Sequence, residues 1–482
     1  MMRWTRTNLL LALCLCLGAP PVLADLLPSP PQGAGTVIAR SGYDYGPSVI
    51  EDGGIQRFWW CGLSNGTDHI LYQSYNPSTR TWSPSQPVSV LAPVAGSSWE
   101  GRFVCDPSVV RGQFTYLGRA YTYALYYTAT SDDTGGGIGN RIGVAFSNDG
   151  INWTRYASNP IIRPRSMDGT YGAGQSAVWN RDGRSSITLF YTDTSGQGLF
   201  TASSADGITF GAPTKLSTAT TEGGHLLRWN SDFAIDSATG LLYAAVPGYF
   251  RRATRPGEHS ETYEIGLYRL PYAQALAGTG TWEFLANIDT NLTGHALNFA
   301  PGFRRNGYGD LSGIIGHAGV TVYFGGGAMS DPSWDIRWVS WWPGTTTLPL
   351  NRYASYTTQR HWVTSGYVSA DYRAPSQGGS GRLDLTLGHI DLAPGPGKVR
   401  LRGCQAISGG VLTSDRFLSL DSGCEGHHLL GTNGWLFQSP PAGVAVKPLY
   451  RCNTGTGHFA SNLSNCEGNT VEGLLGYLRA QP

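Results

Sequence analysis

Charge is scarce in this chain. Asp, Glu, Lys and Arg supply only 14% of its 482 residues, 34 basic against 33 acidic, and no extended run of Lys or Arg occurs. Nucleic acid and anionic lipid both need clustered cations, so neither is expected as a partner. Beyond the first two dozen residues no apolar stretch is long enough to span a bilayer, so no membrane is expected either. Cys-x-x-Cys pairs and Cys/His clusters of zinc spacing are absent, and Asp132-Asp133 before Gly135-Gly136-Gly137 reads as a flexible turn rather than a calcium loop. No metal and no cofactor are expected.

What the chain does have begins with an export signal. Arg3 and Arg6 precede an apolar stretch from Leu9 to Leu17, and Val22-Leu23-Ala24 offers a small-residue cleavage site, so residues 1–24 read as a secretory leader. The remainder is expected outside the cell or in a periplasm, as a monomer. Eight cysteines fall to six once the leader is removed: Cys61, Cys105, Cys404, Cys424, Cys452 and Cys466. An even number in an exported chain reads as a disulfide set.

Glycine (66), Tyr (25) and Trp (15) are abundant. Many tight turns between aromatic-rich strands follow from that balance, and the expected class is all-β. Aromatic rings suit strand packing and can also stack on the C–H faces of sugars, so a polysaccharide or oligosaccharide is among the ligands they suit.

Two internal repeats divide the chain. Between about residues 40 and 345 a strand-opening phrase recurs at roughly sixty-residue spacing: Gly46-Pro47-Ser48-Val49, Asp106-Pro107-Ser108-Val109, Gln175-Ser176-Ala177-Val178, Ser231-Asp232-Phe233-Ala234 and Asn298-Phe299-Ala300. Aromatic strands follow, and two units share a Ser-x-Asp-Gly-x-x-aromatic turn, Ser147 to Trp153 and Ser204 to Phe210. Five such units predict a five-bladed β-propeller over residues 25–347, since closure into a ring protects sheet edges. A two-sheet sandwich would not repeat an opening phrase at so long a period.

The second repeat fills residues 348–482 and has three units. Leu350-Asn351-Arg352-Tyr353, Leu401-Arg402-Gly403-Cys404 and Leu449-Tyr450-Arg451-Cys452 open them, and Leu387-Gly388, Leu430-Gly431 and Leu475-Gly476 close them. A β-trefoil is predicted. Its repeats favour Cys404–Cys424 and Cys452–Cys466, which leaves Cys61–Cys105. The phrase Pro448-Leu449-Tyr450-Arg451 with His458-Phe459 resembles repeats appended to secreted bacterial hydrolases, which implies a carbohydrate-binding module.

In a propeller the inner-strand starts converge on one axial pocket. Hydrolysis of a glycosidic bond needs two carboxylates there, one to protonate the leaving oxygen and one to activate water or attack. Asp44, Asp106, Asp168, Glu222 and Asp232 are the nearest acids. With the Asp-Pro-Ser-Val start, the Asp-Gly turns and Thr221-Glu222-Gly223-Gly224-His225-Leu226, residues 40–345 resemble the five-bladed glycosidases of arabinanase, β-xylosidase and invertase type, in the manner of glycoside hydrolase family 43. That resemblance implies Asp44 as base, Asp106 as the acid-tuning Asp and Glu222 as acid. Gly46 stands before Pro47 where the family has its base, Gln175 occupies the third start, and Asp168 or Asp193 are the fallback acids.

Each residue also has a plainer role available. An Asp before Pro is a common turn former, and Asp149 and Asp206 read as turn residues. Trp229, His225, Gln175 and Asp168 are the candidate substrate contacts, while Trp59 and Trp60, adjacent in a strand, read chiefly as core. A non-catalytic sugar-binding protein with a degenerate propeller site is the alternative to the hydrolase.

Overall fold

The computed structural model describes residues 31–132, 138–167, 169–221, 230–255, 258–312, 320–328, 333–341, 347–365, 372, 374–375, 380–391 and 395–482. The leader at 1–24 lies outside them. Strands dominate throughout; the α-helices among the described residues are the short Tyr272–Leu276 and Thr290–Thr293. No helix there is long and apolar enough to cross a membrane.

Four-stranded antiparallel runs recur along the first part of the chain. One comprises Asp44–Asp52, Ile55–Ser64, Thr67–Asn76 and Thr81–Leu91; the next comprises Phe103–Tyr116, Arg119–Thr130, Arg141–Ser147 and Thr154–Arg155. Ala173–Asn180 and Asp232–Asp236 open two more. The last run, Leu297–Asn306, Val320–Gly327 and Asp335–Trp341, takes its outer strand from the other end of the sequence, Pro31–Ile38. Its inner strand pairs in parallel with Asp44–Asp52, Arg304 opposite Val49. The final and first runs are therefore joined.

Apolar clusters fill the gaps between neighbouring runs. Trp59 and Ile50 pack with Val109, Leu125 and Tyr127; Val110 and Tyr126 pack with Val178 and Leu189; Phe190 packs with Phe233 and Trp282; Ala234 and Tyr243 pack with Phe303 and Val322; Tyr323 packs with Val49 and Phe58. Middle strands such as Arg119–Thr130 and Ile187–Asp193 are buried on both faces, so the alternation expected of a half-exposed strand is lost there, whereas the outer strand Thr81–Leu91 is largely exposed.

The recurring phrase is a β-bulge. Register shifts separate Tyr45 from Ser48, Cys105 from Ser108, Gly174 from Ala177 and Phe299 from Gly302. The residue inside each bulge has left-handed backbone: Gly46, Asp106, Gln175 and Ala300 have φ of 57°, 47°, 57° and 48°. Asn230, at φ 60°, holds the same place before Asp232–Asp236. This corrects the last phrase, because Ala300-Pro301-Gly302-Phe303, two residues later than expected, is the counterpart of Gly46-Pro47-Ser48-Val49.

The bulge also explains its own sequence. Ser48 Oγ accepts from the Val109 amide at 3.0 Å, Ser108 Oγ from the Val178 amide at 3.1 Å, and Asp232 Oδ2 from the Phe303 amide at 2.7 Å. One short polar side chain thus straps the first inner strand to the second, the second to the third and the fourth to the last; Ala177 and Gly302 stand at the same place in the other two. Asp232 is further paired with Arg305 at 3.3 Å, so it serves closure. The Asp-Gly turns do similar work: Asp149 and Asp206 accept from their own turn amides, while Gly150 O accepts from Trp59 Nε1 (2.8 Å) and Gly207 O from Tyr126 (2.7 Å).

The second part forms one nine-stranded sheet built of three similar units. Leu350, Leu401 and Leu449 meet Val363, Leu418, Ala460, Leu387, Leu436 and Leu478 in a shared core. Opposite the three opening leucines stand Gly388, Gly434 and Gly476, so the second unit closes at Gly434 rather than Gly431. A Cβ on these glycines would lie 2.6–2.8 Å from the carbonyl of Arg479, Asp391 or Phe437 in a neighbouring unit. Close approach of backbones therefore fixes the residue type. Disulfides form at Cys404–Cys424, Cys452–Cys466 and Cys61–Cys105, the expected pairings.

Ion pairs tie the three units together. Arg352 reaches Glu467 and Asp384, Arg451 reaches Glu425 and Glu472, and His458 Nδ1 lies 2.7 Å from Asp415, which also faces Arg360. The Asp415 bond raises the His458 pKa against the opposing effects of burial and Arg451. A raised folded pKa contributes stability that is complete below the unfolded value of about 6.5 and is lost as pH rises through the folded one. The melting temperature of the whole chain is expected to fall as pH rises above about 6.5, and His458→Gln to flatten that fall. Identical slopes for the two proteins would refute the assignment.

Candidate active site

Two successive positions at the inner-strand starts supply residues to the cavity. The bulge residue and its predecessor turn toward a cavity of about 440 Å³, bringing Tyr45, Cys105, Asp106, Gln175, Asn230 and Phe299 into its lining. Tyr43, Phe103, Tyr171 and Trp334 complete an aromatic wall, and Asp68, Thr128, Thr130 and Asn140 add polar groups. The left-handed bulge is what aims Asp106 inward, since regular alternation would not place both it and Cys105 on one side.

Among the described residues two carboxylates, Asp106 and Asp68, face this space. Asp106 Oδ2 accepts from the Tyr171 hydroxyl at 3.2 Å. Burial pushes its carboxyl up to about 6, against the lowering effect of the Tyr171 and Thr128 donors. Asp68 stands at the start of Thr67–Asn76, where the Tyr43 hydroxyl donates to Oδ1 in a very short contact and Tyr45 to Oδ2 at 3.4 Å. Burial raises Asp68 as well, opposed by the two tyrosines and Arg102. Cys105 Sγ lies 3.6 Å from Asp106 Oδ1 and within 4.8 Å of the Asp68 carboxylate, so one sulfur bridges the distance between the acids. That sulfur is bonded to Cys61 and offers no thiolate to a metal.

Of the residues singled out in the sequence, Asp106 and Gln175 line the cavity together. Gln175 accepts the Asn230 amide on Oε1 at 2.6 Å, and its own amide donates to Thr128 Oγ1 at 2.8 Å. Asp44 is elsewhere: wholly buried, it accepts from Trp60 Nε1 at 2.7 Å and pairs with Arg40 at 3.0 Å. Its oxygens are committed to a structural pair. Asp193 accepts from its own turn, Ser195 and Gly196, which gives it a structural task too. Asp168, Glu222, His225 and Trp229 lie outside the described residues.

Asp44→Asn is therefore expected to cost about 1–3 kcal/mol of stability by leaving Arg40 without its counter-charge, while catalytic constants measured on folded protein stay within twofold. Chemical denaturation and kinetics together check this. Large loss of turnover at unchanged stability would return Asp44 to the site.

Asp68 and the tyrosines escaped the sequence reading. Asp68 follows Asn65-Gly66-Thr67 and looks like part of a hairpin turn. Tyr45 and Phe299 had a usable signal, because each stands one place before the bulge residue of its phrase, as Cys105 does.

No protein-family model matches this chain, and no curated protein matches it. Among solved structures, it is similar to the catalytic domain of a GH62 α-L-arabinofuranosidase from Coprinopsis cinerea, with 11% identity, TM-score 0.43 and coverage of 65% of this chain and 97% of that one. An exo-1,5-α-L-arabinanase from a bovine ruminal metagenomic library is similar at 10% identity and TM-score 0.41, over 68% of this chain and 99% of that one. An α-L-arabinofuranosidase from Podospora anserina, in complex with cellotriose, is similar at 12% identity and TM-score 0.41, over 65% and 98%.

Proposed function

We propose that this chain is an exported glycoside hydrolase that holds a sugar in the aromatic-walled cavity and cleaves its glycosidic bond between Asp106 and Asp68. The observation that carries the reading is the pair of carboxylates facing one cavity from either side of the Cys61–Cys105 bridge. Glycoside hydrolysis uses acids ~5–10 Å apart, and burial gives one of this pair a pKa suited to proton donation near neutral pH. Asp106, protonated, gives its proton to the leaving oxygen as the C–O bond breaks. Asp68, which in its ionised form accepts from its two tyrosine donors, takes a proton from the water that attacks the anomeric carbon. The aromatic wall stacks on the sugar and excludes bulk solvent.

Residues 25–347 are read as a five-bladed propeller, supported by the closed cycle of interfacial clusters, and residues 348–482 as a β-trefoil, supported by its three-fold core. The trefoil holds the enzyme on its polymer and raises local substrate concentration. Glu222, the acid implied by the family resemblance, belongs in the same mutant set.

The test is release of reducing sugar from arabinans, xylans, fructans and aryl glycosides by wild type, Asp68→Asn, Asp106→Asn and Glu222→Gln. A second reading, sugar binding without turnover, is favoured by one observation: Gly46 and Gln175 leave Asp106 as the single carboxylate among the bulge residues. Binding by calorimetry with no product from any substrate would decide for it.

A further inference from the structure

An exposed cation adjoins the cavity lining and is not used by the hydrolytic pair. Arg102 immediately precedes the strand Phe103–Tyr116, is exposed, and stretches its guanidinium over the ring of Phe103 at 5.1 Å from the centroid. Phe103 lines the cavity. The backbone beneath is fixed on both sides: the Arg102 amide donates to Thr130 O at 3.0 Å, and Arg102 O accepts from Thr67 Oγ1 at 2.5 Å. Thr67 is the neighbour of Asp68, so the cation is anchored beside the acid and its charge is felt by both Asp68 and Tyr43. Among the described residues it nevertheless makes no ion pair.

An exposed Arg seated over the ring of a residue that lines a cavity loses less entropy when it binds than a freely moving one, and its planar fork matches a carboxylate or sulfate bidentately. A neutral sugar offers such a fork hydroxyl acceptors but no counter-charge. An acidic sugar, by contrast, gains a charge-assisted pair there that offsets its repulsion by Asp68. We propose that Arg102, seated on Phe103 beside the cavity, selects an anionic glycan, one whose sugar carries a carboxylate or sulfate, for the hydrolytic site. The inference rests on the glycosidase reading and adds the substrate class to it.

The alternative is that Arg102 merely offsets the charge of Asp68. The two are separated by comparing a hexuronic acid glycoside with its methyl ester, identical but for the charge, and a sulfated sugar glycoside with its desulfated form, in wild type, Arg102→Gln and Arg102→Lys. The acid-to-ester ratio of kcat/KM is expected to fall ~10–100-fold in Arg102→Gln, chiefly through KM, and less in Arg102→Lys, which keeps charge but loses the fork. The pair that shows the drop identifies carboxylate or sulfate. Calorimetry of the same ligands on Asp106→Asn repeats the comparison without turnover. An equal loss on charged and neutral partners, or no charge preference in wild type, overturns the inference and leaves the hydrolase standing. Absence of both turnover and binding on every glycoside overturns the hydrolase reading and this inference with it.

Discussion

Asp106→Asn is expected to lower kcat/KM by ~10²–10⁴-fold while leaving sugar affinity within a few-fold, because general acid catalysis is made only in the transition state. The amide is nearly isosteric and keeps the Tyr171 contact, so the fold is not disturbed. The pH profile of the wild type carries the same information with opposite limbs. As an acid with its pKa raised to about 6 by burial, Asp106 is protonated below that value, and activity falls as pH rises through it. On the acidic side activity falls as Asp68 gains a proton, giving a bell. Asp68→Asn is expected to lower turnover comparably and to remove the acidic limb. An aryl glycoside with a very good leaving group needs little proton donation, so it should rescue Asp106→Asn and not Asp68→Asn. Rescue of both, or of neither, would sink the assignment of roles.

The second large effect concerns closure. Gly302→Ala is expected to destabilise the chain by roughly 3 kcal/mol or more, because a Cβ there would lie 1.7 Å from Pro47 O, a backbone atom that cannot rotate away. The clash falls where the last inner strand meets the first, Arg304 beside Val49, so it opposes the pairing that joins the two ends of the cycle. Gly307→Ala is the control in the same strand region, since its nearest neighbour is a side-chain carbon of Arg111 at 3.4 Å, ordinary contact. Thermal unfolding of the three proteins side by side checks the difference. Equal melting temperatures for Gly302→Ala and wild type would show that the closure is not held as described.

Much of the architecture was legible because it is periodic. The phrase around Pro47, Pro107 and Gln175 marks a bulge whose left-handed residue is demanded at each recurrence by the same backbone geometry, and at Ser48 and Ser108 the short polar strap recurs with it. It became harder to read where one requirement had been met differently. Ala300-Pro301-Gly302 has glycine where Ser48 stands, because the neighbouring carbonyl of Pro47 leaves no room for a side chain. In the second part, Gly434 escaped notice because Leu430-Gly431 mimics the closing phrase three residues early.

The candidate site was legible only in part. Asp106 and Gln175 were found because they belong to the repeat, and Asp44 was expected beside them because it is an acid near the first start. Which way a carboxylate points is not a local property. Asp44 lies at Gly62 in the adjacent strand, within reach of Trp60 and Arg40, and turns away from the axis; Asp68, in the same sheet, turns toward it under Tyr43.

By itself the sequence determined the all-β class, the two internal repeats and the pairings Cys404–Cys424 and Cys452–Cys466, which left Cys61 to Cys105. Each of these is set by composition or by a local pattern that returns: turns where Gly and Asp recur, bulges where the phrase recurs, bridges where cysteines hold matching repeat positions. Only the tertiary structure decided which acids share a cavity. Residues 68 and 106 are brought together by the packing of two separate sheets, and the depth that raises the Asp106 pKa exists only once those sheets close around the axis.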